Sequence, residues 1–437
     1  MNSLVRQSLR ILLGRISISA LSVLITIYFA YELPKNLFAI IVLYSTAASF
    51  TQVVIDLGLS SKIIREAPPL LQDNLPMAID TILMPSTVLR ATASIVTCVL
   101  MLITLQLVKP LLLAEFPYLN MDYITLIVPF CMMIENANAI LVPLFQIKRL
   151  FGTDSVLTST ALLLENVFTL ILYLLFGMNQ YFLGILLAQL TAFGLRLFFV
   201  SDYLKQFNFS RWSWPESRAT LKLYFPFYLR RFFRLGLLHG EQFIIAALLP
   251  LHQLANFNLA KRVSKDLKFY VEAFTNPLSI RLSKTRDLQV RHKNVRTFLF
   301  FTMPVPIVLA LLSPWIMRIA GGEKYADNWP ILAILYLSYI FYALSSLQFT
   351  VVTILGKHSD SLYRDAIGGT VGLIATLLLI LIFAEYGLAW GQLIAYAALY
   401  IAGYHISKKY MHLSPEDSAL KPQENTTPLS TSTKPVT

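Results

Sequence analysis

Ten charged side chains lie in two neighbouring segments of an otherwise apolar chain, between residues 228 and 280. Seven are basic and three are acidic: Arg230, Arg231, Arg234, Glu241, Lys261, Arg262, Lys265, Asp266, Lys268 and Glu272. A charge that faces lipid at the middle of a bilayer costs roughly 3 kcal/mol even on the mildest insertion scale. If both segments cross a membrane, these side chains must therefore line a hydrated cavity walled by protein. The excess of basic residues predicts that this cavity attracts anions.

The charged residues of each segment share one face of a predicted helix. At 100° per residue, four positions of the second segment fall within about 60°: Lys261, Lys265, Lys268 and Glu272. In the first segment, Arg230, Arg234 and Glu241 share about 40°. A guanidinium offers a planar fork of donors and an ammonium a mobile point charge, so the combination suits a diphosphate. The predicted substrate-binding residues are Arg230, Arg234, Lys261, Arg262, Lys265 and Lys268.

Seven further charged residues within predicted helices have two interpretations. They are Glu241, Glu272, Asp266, Asp56, Arg90, Glu135 and Glu165. Each could couple an ion to transport, or pair with an opposite charge to hold helices together, and the pattern leaves both open. Arg230 and Arg231 have an alternative role as well, because long basic side chains near a helix end can reach the membrane interface. The six His and two Cys show no ligand spacing, so neither a metal nor a cofactor is predicted, and no catalytic motif is found.

The composition is that of an integral membrane protein. Of the 437 residues 56% are hydrophobic and 14% charged, with a mean hydropathy of +0.62. Apolar runs near twenty residues recur along the chain, and each can span about 30 Å of hydrocarbon as a helix. We predict an all-α polytopic membrane protein. Its twelve helices are expected at about residues 11–31, 37–57, 80–106, 123–145, 155–176, 181–200, 226–249, 255–280, 297–318, 331–355, 366–384 and 388–406.

The distribution of Arg and Lys predicts the orientation. Most basic residues outside the helices fall on the side of the N-terminus, whereas the opposite side holds only Lys35, Lys109, Lys324 and Arg318. The positive-inside rule then places both termini in the cytoplasm. The weakest helix is 255–280, which a hydropathy window would miss. If neither 226–249 nor 255–280 crossed, ten helices would remain and both segments would be amphipathic surface elements.

The chain divides into two predicted six-helix bundles and a tail. The bundles cover residues 1–207 and 208–413, with a cytoplasmic linker at Ser201 to Phe225, and residues 414–437 form a disordered cytoplasmic tail. Segments 174–190 and 381–397 resemble each other, with Gly184 and Gly391 in corresponding positions. Such paired halves are typical of secondary transporters. The loops on the outer side are short, which argues against a membrane polymerase or glycosyltransferase.

Three stretches resemble a known family. They are VIDLGLSSKIIREA (54–67), EQFIIAALLPLHQLANFNLAKRVSKDL (241–267) and NPLSIRLSK (276–284). With the helix order and the central linker, they resemble the polysaccharide-transport flippases, of O-antigen type, in the multidrug/oligosaccharidyl-lipid/polysaccharide exporter superfamily. Glu241 stands where the family usually has Asp, and Ala255-Asn256-Phe257 stands where Gly-Tyr-Tyr is usual, while Lys261-Arg262 keeps the basic position.

The resemblance implies a V-shaped pair of six-helix bundles that works by alternating access. Its cargo would be an undecaprenyl-diphosphate-linked oligosaccharide, carried from the cytoplasmic to the outer leaflet of a bacterial inner membrane. Membrane lipids, a polysaccharide polymerase and chain-length proteins would be partners, and nucleic acid would not. The alternative within the superfamily is a multidrug or cation antiporter. An antiporter of cationic drugs needs an acidic cavity, and the net basic charge of the two charged helices argues against it.

Overall fold

The chain folds into a bundle of helices. The structure is a computed structural model that describes residues 22–60, 62–63, 75–117, 119–147, 151–207, 213–235, 248–284, 296–354 and 358–410, and no strand occurs among these residues. Its main helices are α1 (Ser22–Glu32), α2 (Lys35–Asp56), α3 (Met84–Glu115), α4 (Met121–Ile147), α5 (Phe151–Phe176), α6 (Tyr181–Leu204), α7 (Trp214–Leu235), α8 (Leu251–Lys284), α9 (Pro304–Gly321), α10 (Trp329–Ile354), α11 (His358–Phe383) and α12 (Glu385–Tyr410). The predicted all-α class is confirmed.

Short helical pieces join some of these elements. Leu75–Ala78 and a π-helical stretch, Ile79–Leu83, lead into α3. A 3-10 turn, Met178–Gln180, precedes α6, and Glu323–Ala326 lies between α9 and α10. α2 ends where Leu57 adopts a left-handed φ of 50° and Gly58 one of 75°. That conformation at a helix C-terminus satisfies carbonyls that the helix itself cannot.

The predicted linker at residues 201–225 is partly wrong. α6 continues to Leu204, and α7 already begins at Trp214. Pro215 does not prevent this early start, because a proline in the first turn of a helix lacks only an N–H that would have no partner there. The end of the predicted helix 226–249 lies outside the described residues beyond Leu235. Residues 1–21 and the predicted tail, 414–437, also lie outside them.

The chain is a multi-pass membrane protein. Eight segments within the described residues are long and apolar enough to cross a membrane, among them α2, the segment Ile79–Pro110 and the segment Arg296–Gly321. α7 and α8 are not among the eight, as expected from their many charges.

α8 is nevertheless a central element of the bundle. It packs against α2 of the N-terminal helices and against α9, α10 and α12 of the C-terminal helices. Its residues Leu254, Phe257, Leu259, Leu267 and Val271 are all buried. An amphipathic helix on a membrane surface would leave one face open to solvent. The structure therefore contradicts the alternative in which the 255–280 segment is a surface element.

Two helical hairpins in the bundle have matching dimensions. α11 ends 207 residues after α5, at Phe383 against Phe176. The turns match too, because Gly177 has φ 76° and Ala384, 207 residues later, has φ 48°. The α5–α6 and α11–α12 pairs thus repeat one backbone design.

A glycine brings the two helices of each hairpin together. A Cβ added to Gly184 of α6 would lie 2.6 Å from the Thr169 backbone nitrogen of α5. One added to Gly391 of α12 would lie 2.9 Å from the Thr376 Cα of α11. Both glycines, and both threonines, are 207 residues apart. The structure thus gives the weak sequence similarity of the two segments a physical basis in close helix packing.

Candidate functional site

A cavity of about 610 Å³ lies between α8 and the N-terminal helices α1, α2, α4, α5 and α6. We call it the central cavity. Six charged side chains line it: Arg196, Lys261, Arg262, Lys265, Glu135 and Glu165. Four are basic and two acidic, so the described lining carries an excess of positive charge. The feature shared with the predicted site is the basic face of α8.

Three basic residues of α8 line the cavity, and we call Lys261, Arg262 and Lys265 the α8 cations. Lys261 Nζ lies 5.7 Å from the centre of the Phe257 ring, one turn earlier on the same helix. Arg262 donates a hydrogen bond from its guanidinium to Ser22 Oγ of α1. That bond links α8 to the first helix of the N-terminal half across the cavity.

Two acidic residues line the same cavity from the N-terminal helices, and we call Glu135 of α4 and Glu165 of α5 the carboxylate pair. Gln52 Nε2 donates to Glu135 Oε1 at 3.0 Å, and Tyr44 Oη lies 3.4 Å from Glu135 Oε2. Gln189 Nε2 donates to Glu165 Oε2 at 2.8 Å. Neutral donors thus orient both carboxylates.

The other predicted substrate-binding residues are placed differently. Lys268 does not line the central cavity; its Nζ lies 4.0 Å from Glu272 Oε1, one turn further along α8. Glu272 also accepts a hydrogen bond from Tyr342 Oη at 3.1 Å. The backbone of α7 carries Arg230, Arg231 and Arg234, but their side chains lie outside the described part of the structure, as do the Asp266 side chain and all of Glu241.

Asp56 and Arg90 form a buried ion pair away from the central cavity. Arg90 Nη2 lies 3.4 Å from Asp56 Oδ1, and both side chains are almost fully buried. The guanidinium also donates to the carbonyl oxygens of Ala139 at 3.0 Å and Ile140 at 3.2 Å. Asp56 accepts a further bond from Ser60. This network joins α2, α3 and α4.

Several neutral lining residues were missed by reasoning from charge alone. Gln52, Gln189, Tyr44 and Tyr181 all line the cavity. An intramembrane amide is a detectable signal, because a buried polar group without a partner is costly in an apolar medium. The two glutamines sit in otherwise apolar helices, so they could have been found in this way.

One end of the bundle is closed by contacts between the N-terminal and C-terminal helices, and we call it the closed end. Lys324 Nζ donates to the carbonyl oxygens of Tyr31 at 2.7 Å and Leu33 at 2.9 Å. Tyr31 Oη lies 3.0 Å from the carbonyl oxygens of both Arg318 and Ile319. These bonds join the α1–α2 turn to the end of α9 and the short helix after it.

Apolar packing reinforces this closure. Phe29 and Phe38 belong to the same buried cluster as Leu259, Met317 and Tyr325. The Phe38 and Tyr325 rings meet edge to face at 6.4 Å. Burial raises the pKa of Tyr325. Burial also lowers the pKa of Lys324, with a further contribution from a neighbouring ammonium.

No protein-family model and no curated protein sequence matches the chain, but solved structures do. The lipid II flippase MurJ, in an inward closed conformation, matches with a TM-score of 0.75 and 16% identity over 94% of this chain and 89% of that chain. An inward-facing multidrug resistance MATE family transporter of the MOP superfamily gives 0.68 and 12% identity, over 91% and 97%. The eukaryotic MATE transporter AtDTX14 gives 0.61 and 14%, over 95% and 96%.

The chain has the fold of the MOP-superfamily transporters. Coverage of about nine tenths of both chains shows that the shared fold extends over the whole bundle. Identities of this size carry the fold and no substrate from those proteins to this chain.

Proposed function

We propose that the protein is a flippase, not an enzyme, for an undecaprenyl-diphosphate-linked oligosaccharide, the repeat unit of an O-antigen or another surface polysaccharide. It would act in the inner membrane of a bacterium, with both termini in the cytoplasm, and move its cargo to the outer leaflet. The observation that supports this most is the line of three α8 cations in the central cavity of a transporter fold.

The α8 cations suit a diphosphate by charge. A hydrogen bond to a charged group contributes about 1.5–3 kcal/mol, and each 1.4 kcal/mol is about tenfold in affinity. The diphosphate carries about two negative charges. A membrane potential of about 100 mV, negative inside, favours the outward movement of each by about 2.3 kcal/mol.

Alternating access would require the closed end to open. The bonds of Lys324 and Tyr31 hold the halves together there, while the cavity between the same halves holds the charged side chains. Release of cargo on that side therefore demands that this network break. The V-shaped pair of bundles that the family resemblance implies would allow such a movement.

The runner-up function is a multidrug or cation antiporter, which one observation favours. The carboxylate pair lines the central cavity, and carboxylates would attract a cationic drug. The four basic side chains in the same lining oppose that role, since they repel such a solute. The two functions therefore differ in which charges the cargo needs.

The test is translocation of a synthetic undecaprenyl diphosphate-linked sugar in proteoliposomes, followed by its accessibility to an added lectin. We expect the double variant Lys261→Gln and Lys265→Gln to lower the initial rate at least about tenfold, because two charged contacts to phosphate are lost. Lys268→Gln is the matched control, since Lys268 lies on the same helix but outside the cavity lining, and it should keep most of the rate.

Normal transport by the double variant would contradict the proposed function. So would transport of a tetraphenylphosphonium cation by the wild-type protein together with indifference to the diphosphate lipid. That second result would favour the antiporter instead.

A further inference from the structure

The central cavity carries opposite charges on different elements. The α8 cations project from α8, whereas the carboxylate pair projects from α4 and α5. The positive charge of Arg262 attracts Glu165. Glu135 also lies within range of the negative charge of Glu165. The negative potential that two neighbouring carboxylates create favours a cation placed between them.

A buried amide oxygen beside the carboxylate pair lacks a partner. Asn138 of α4 lines the cavity and is 2% exposed. Its Nδ2 donates to the backbone oxygen of Gln189 at 2.9 Å and to Gln189 Oε1 at 3.0 Å. Its Oδ1 has no hydrogen-bond partner among the described residues. A buried acceptor without a donor is costly, so a ligand with N–H groups would satisfy it.

The acceptors match an alkylammonium group. Glu135, Glu165 and Asn138 offer three oxygen-bearing groups, and a protonated primary amine has three N–H donors. Gln52 donates a hydrogen bond to Glu135 and Gln189 donates one to Glu165, so both carboxylates are held in place. The cavity of about 610 Å³ is far larger than a bare metal ion needs, and it is continuous with the α8 cations.

We propose that the carboxylate pair and Asn138 bind an ammonium group on the cargo, so that the transported molecule is zwitterionic. The diphosphate would contact the α8 cations, and an amino sugar near the diphosphate would contact the carboxylate pair. This inference rests on the proposed function and narrows its substrate class to lipid diphosphates with a free amine on the oligosaccharide. An N-acetylated sugar lacks the charge and would not be attracted to the carboxylate pair.

The fold itself does not require acids at these places. The positions 207 residues after Glu135 and Glu165 are Tyr342 of α10 and Gly372 of α11. Gln189 likewise corresponds to Tyr396. The same backbone design is therefore built in the C-terminal half without either carboxylate.

The test compares two synthetic cargoes that differ only at one nitrogen: undecaprenyl diphosphate linked to glucosamine, and the same lipid linked to N-acetylglucosamine. Binding to the purified full-length protein is measured by microscale thermophoresis. We expect the wild-type protein to bind the amine cargo at least tenfold more tightly. The double variant Glu135→Gln and Glu165→Gln should bind both cargoes equally, at the level of the acetylated one. Glu272→Gln, outside the cavity lining, is the control and should keep the preference.

Each other outcome has a distinct meaning. Equal binding of the two cargoes by the wild-type protein overturns the amine site but leaves the flippase proposal standing. Failure to bind either cargo overturns the proposed function itself. The third arm omits cargo and compares thermal stability in sodium chloride and in N-methylglucamine chloride. Stabilisation by sodium that disappears in the double Gln variant would assign the carboxylate pair to a free metal ion and overturn the zwitterion.

Discussion

The two hairpins α5–α6 and α11–α12 share a backbone and differ in what they place inside. In the N-terminal half, Gln189 of α6 donates to Glu165 of α5, and both line the central cavity. In the C-terminal half, Tyr396 of α12 packs its ring 5.2 Å from that of Tyr342 on α10. Tyr396 and Tyr342 stand 207 residues after Gln189 and Glu135. One scaffold therefore supports a polar cavity in one half and an aromatic core in the other.

The difference separates what builds the fold from what serves the cargo. The close approach at Gly184 and at Gly391 is common to both halves, so it belongs to the scaffold. The carboxylate pair occurs in one half only. A pair of carboxylates that repel each other contributes little to packing, and such charged groups in a cavity are typical of functional sites.

The largest loss of stability is expected from a substitution in the aromatic core of the C-terminal half. Tyr396 is 2% exposed, and its ring also lies 6.1 Å from that of Tyr339. Tyr396→Ala should lower the free energy of unfolding by about 3–5 kcal/mol, because it leaves a large cavity. Gln189→Ala, at the equivalent N-terminal position, removes two hydrogen-bonded contacts and should cost about 1–2 kcal/mol. Loss of soluble monomer on heating in detergent ranks the stability of the two variants. Equal losses would contradict the difference proposed between the two halves.

A smaller loss of stability is expected at the two glycines that occupy equivalent positions in the two halves. Gly184→Ala places a Cβ 2.6 Å from a backbone nitrogen, and Gly391→Ala places one 2.9 Å from a backbone carbon. Both should destabilise by about 1–3 kcal/mol through overpacking. Gly194→Ala on α6 is the matched control, since its Cβ would meet nothing within 4 Å. It should leave the melting temperature unchanged or raise it, because alanine favours helix. An unchanged melting temperature for Gly184→Ala would contradict the claim that both hairpins depend on close helix packing at a glycine.

Much of the fold was accessible from the sequence, because long apolar runs leave few alternatives in a membrane. The predicted helix at 255–280 lies within α8, although its charges hide it from a hydropathy criterion. The early start of α7 at Trp214 was missed, since the predicted linker was extended to Phe225 although a proline such as Pro215 is tolerated in the first turn of a helix. There the helix is set by packing against α2 and α11, which no local pattern encodes.

The sequence predicted part of the lining of the central cavity, and the reason is geometric. A stripe on one helix can be read from the 100° period, which put Lys261 and Lys265 on one face. The period does not say how far along the helix a cavity extends, so Lys268 was grouped with them although it pairs with Glu272. Nor does it show which residue of another helix lies opposite. The meeting of Glu135 and Glu165 with Gln52 and Gln189 depends on the packing of four helices.

The smallest expected change in stability discriminates best, because its sign shows whether the carboxylate pair supports the fold. If the carboxylate pair serves cargo, removing its charge without cargo present should not destabilise the protein. Glu135→Gln with Glu165→Gln should leave the free energy of unfolding unchanged or raise it by up to about 1 kcal/mol, since a like-charge repulsion disappears while the amide contacts can re-form. Glu272→Gln should lower it by about 0.5–1 kcal/mol, because Glu272 has a Lys268 partner and a tyrosine donor to lose. A clear destabilisation in the double variant would mean that the carboxylate pair supports the fold, as the tyrosines do in the other half, and the contrast between the two hairpins would then be one of packing alone.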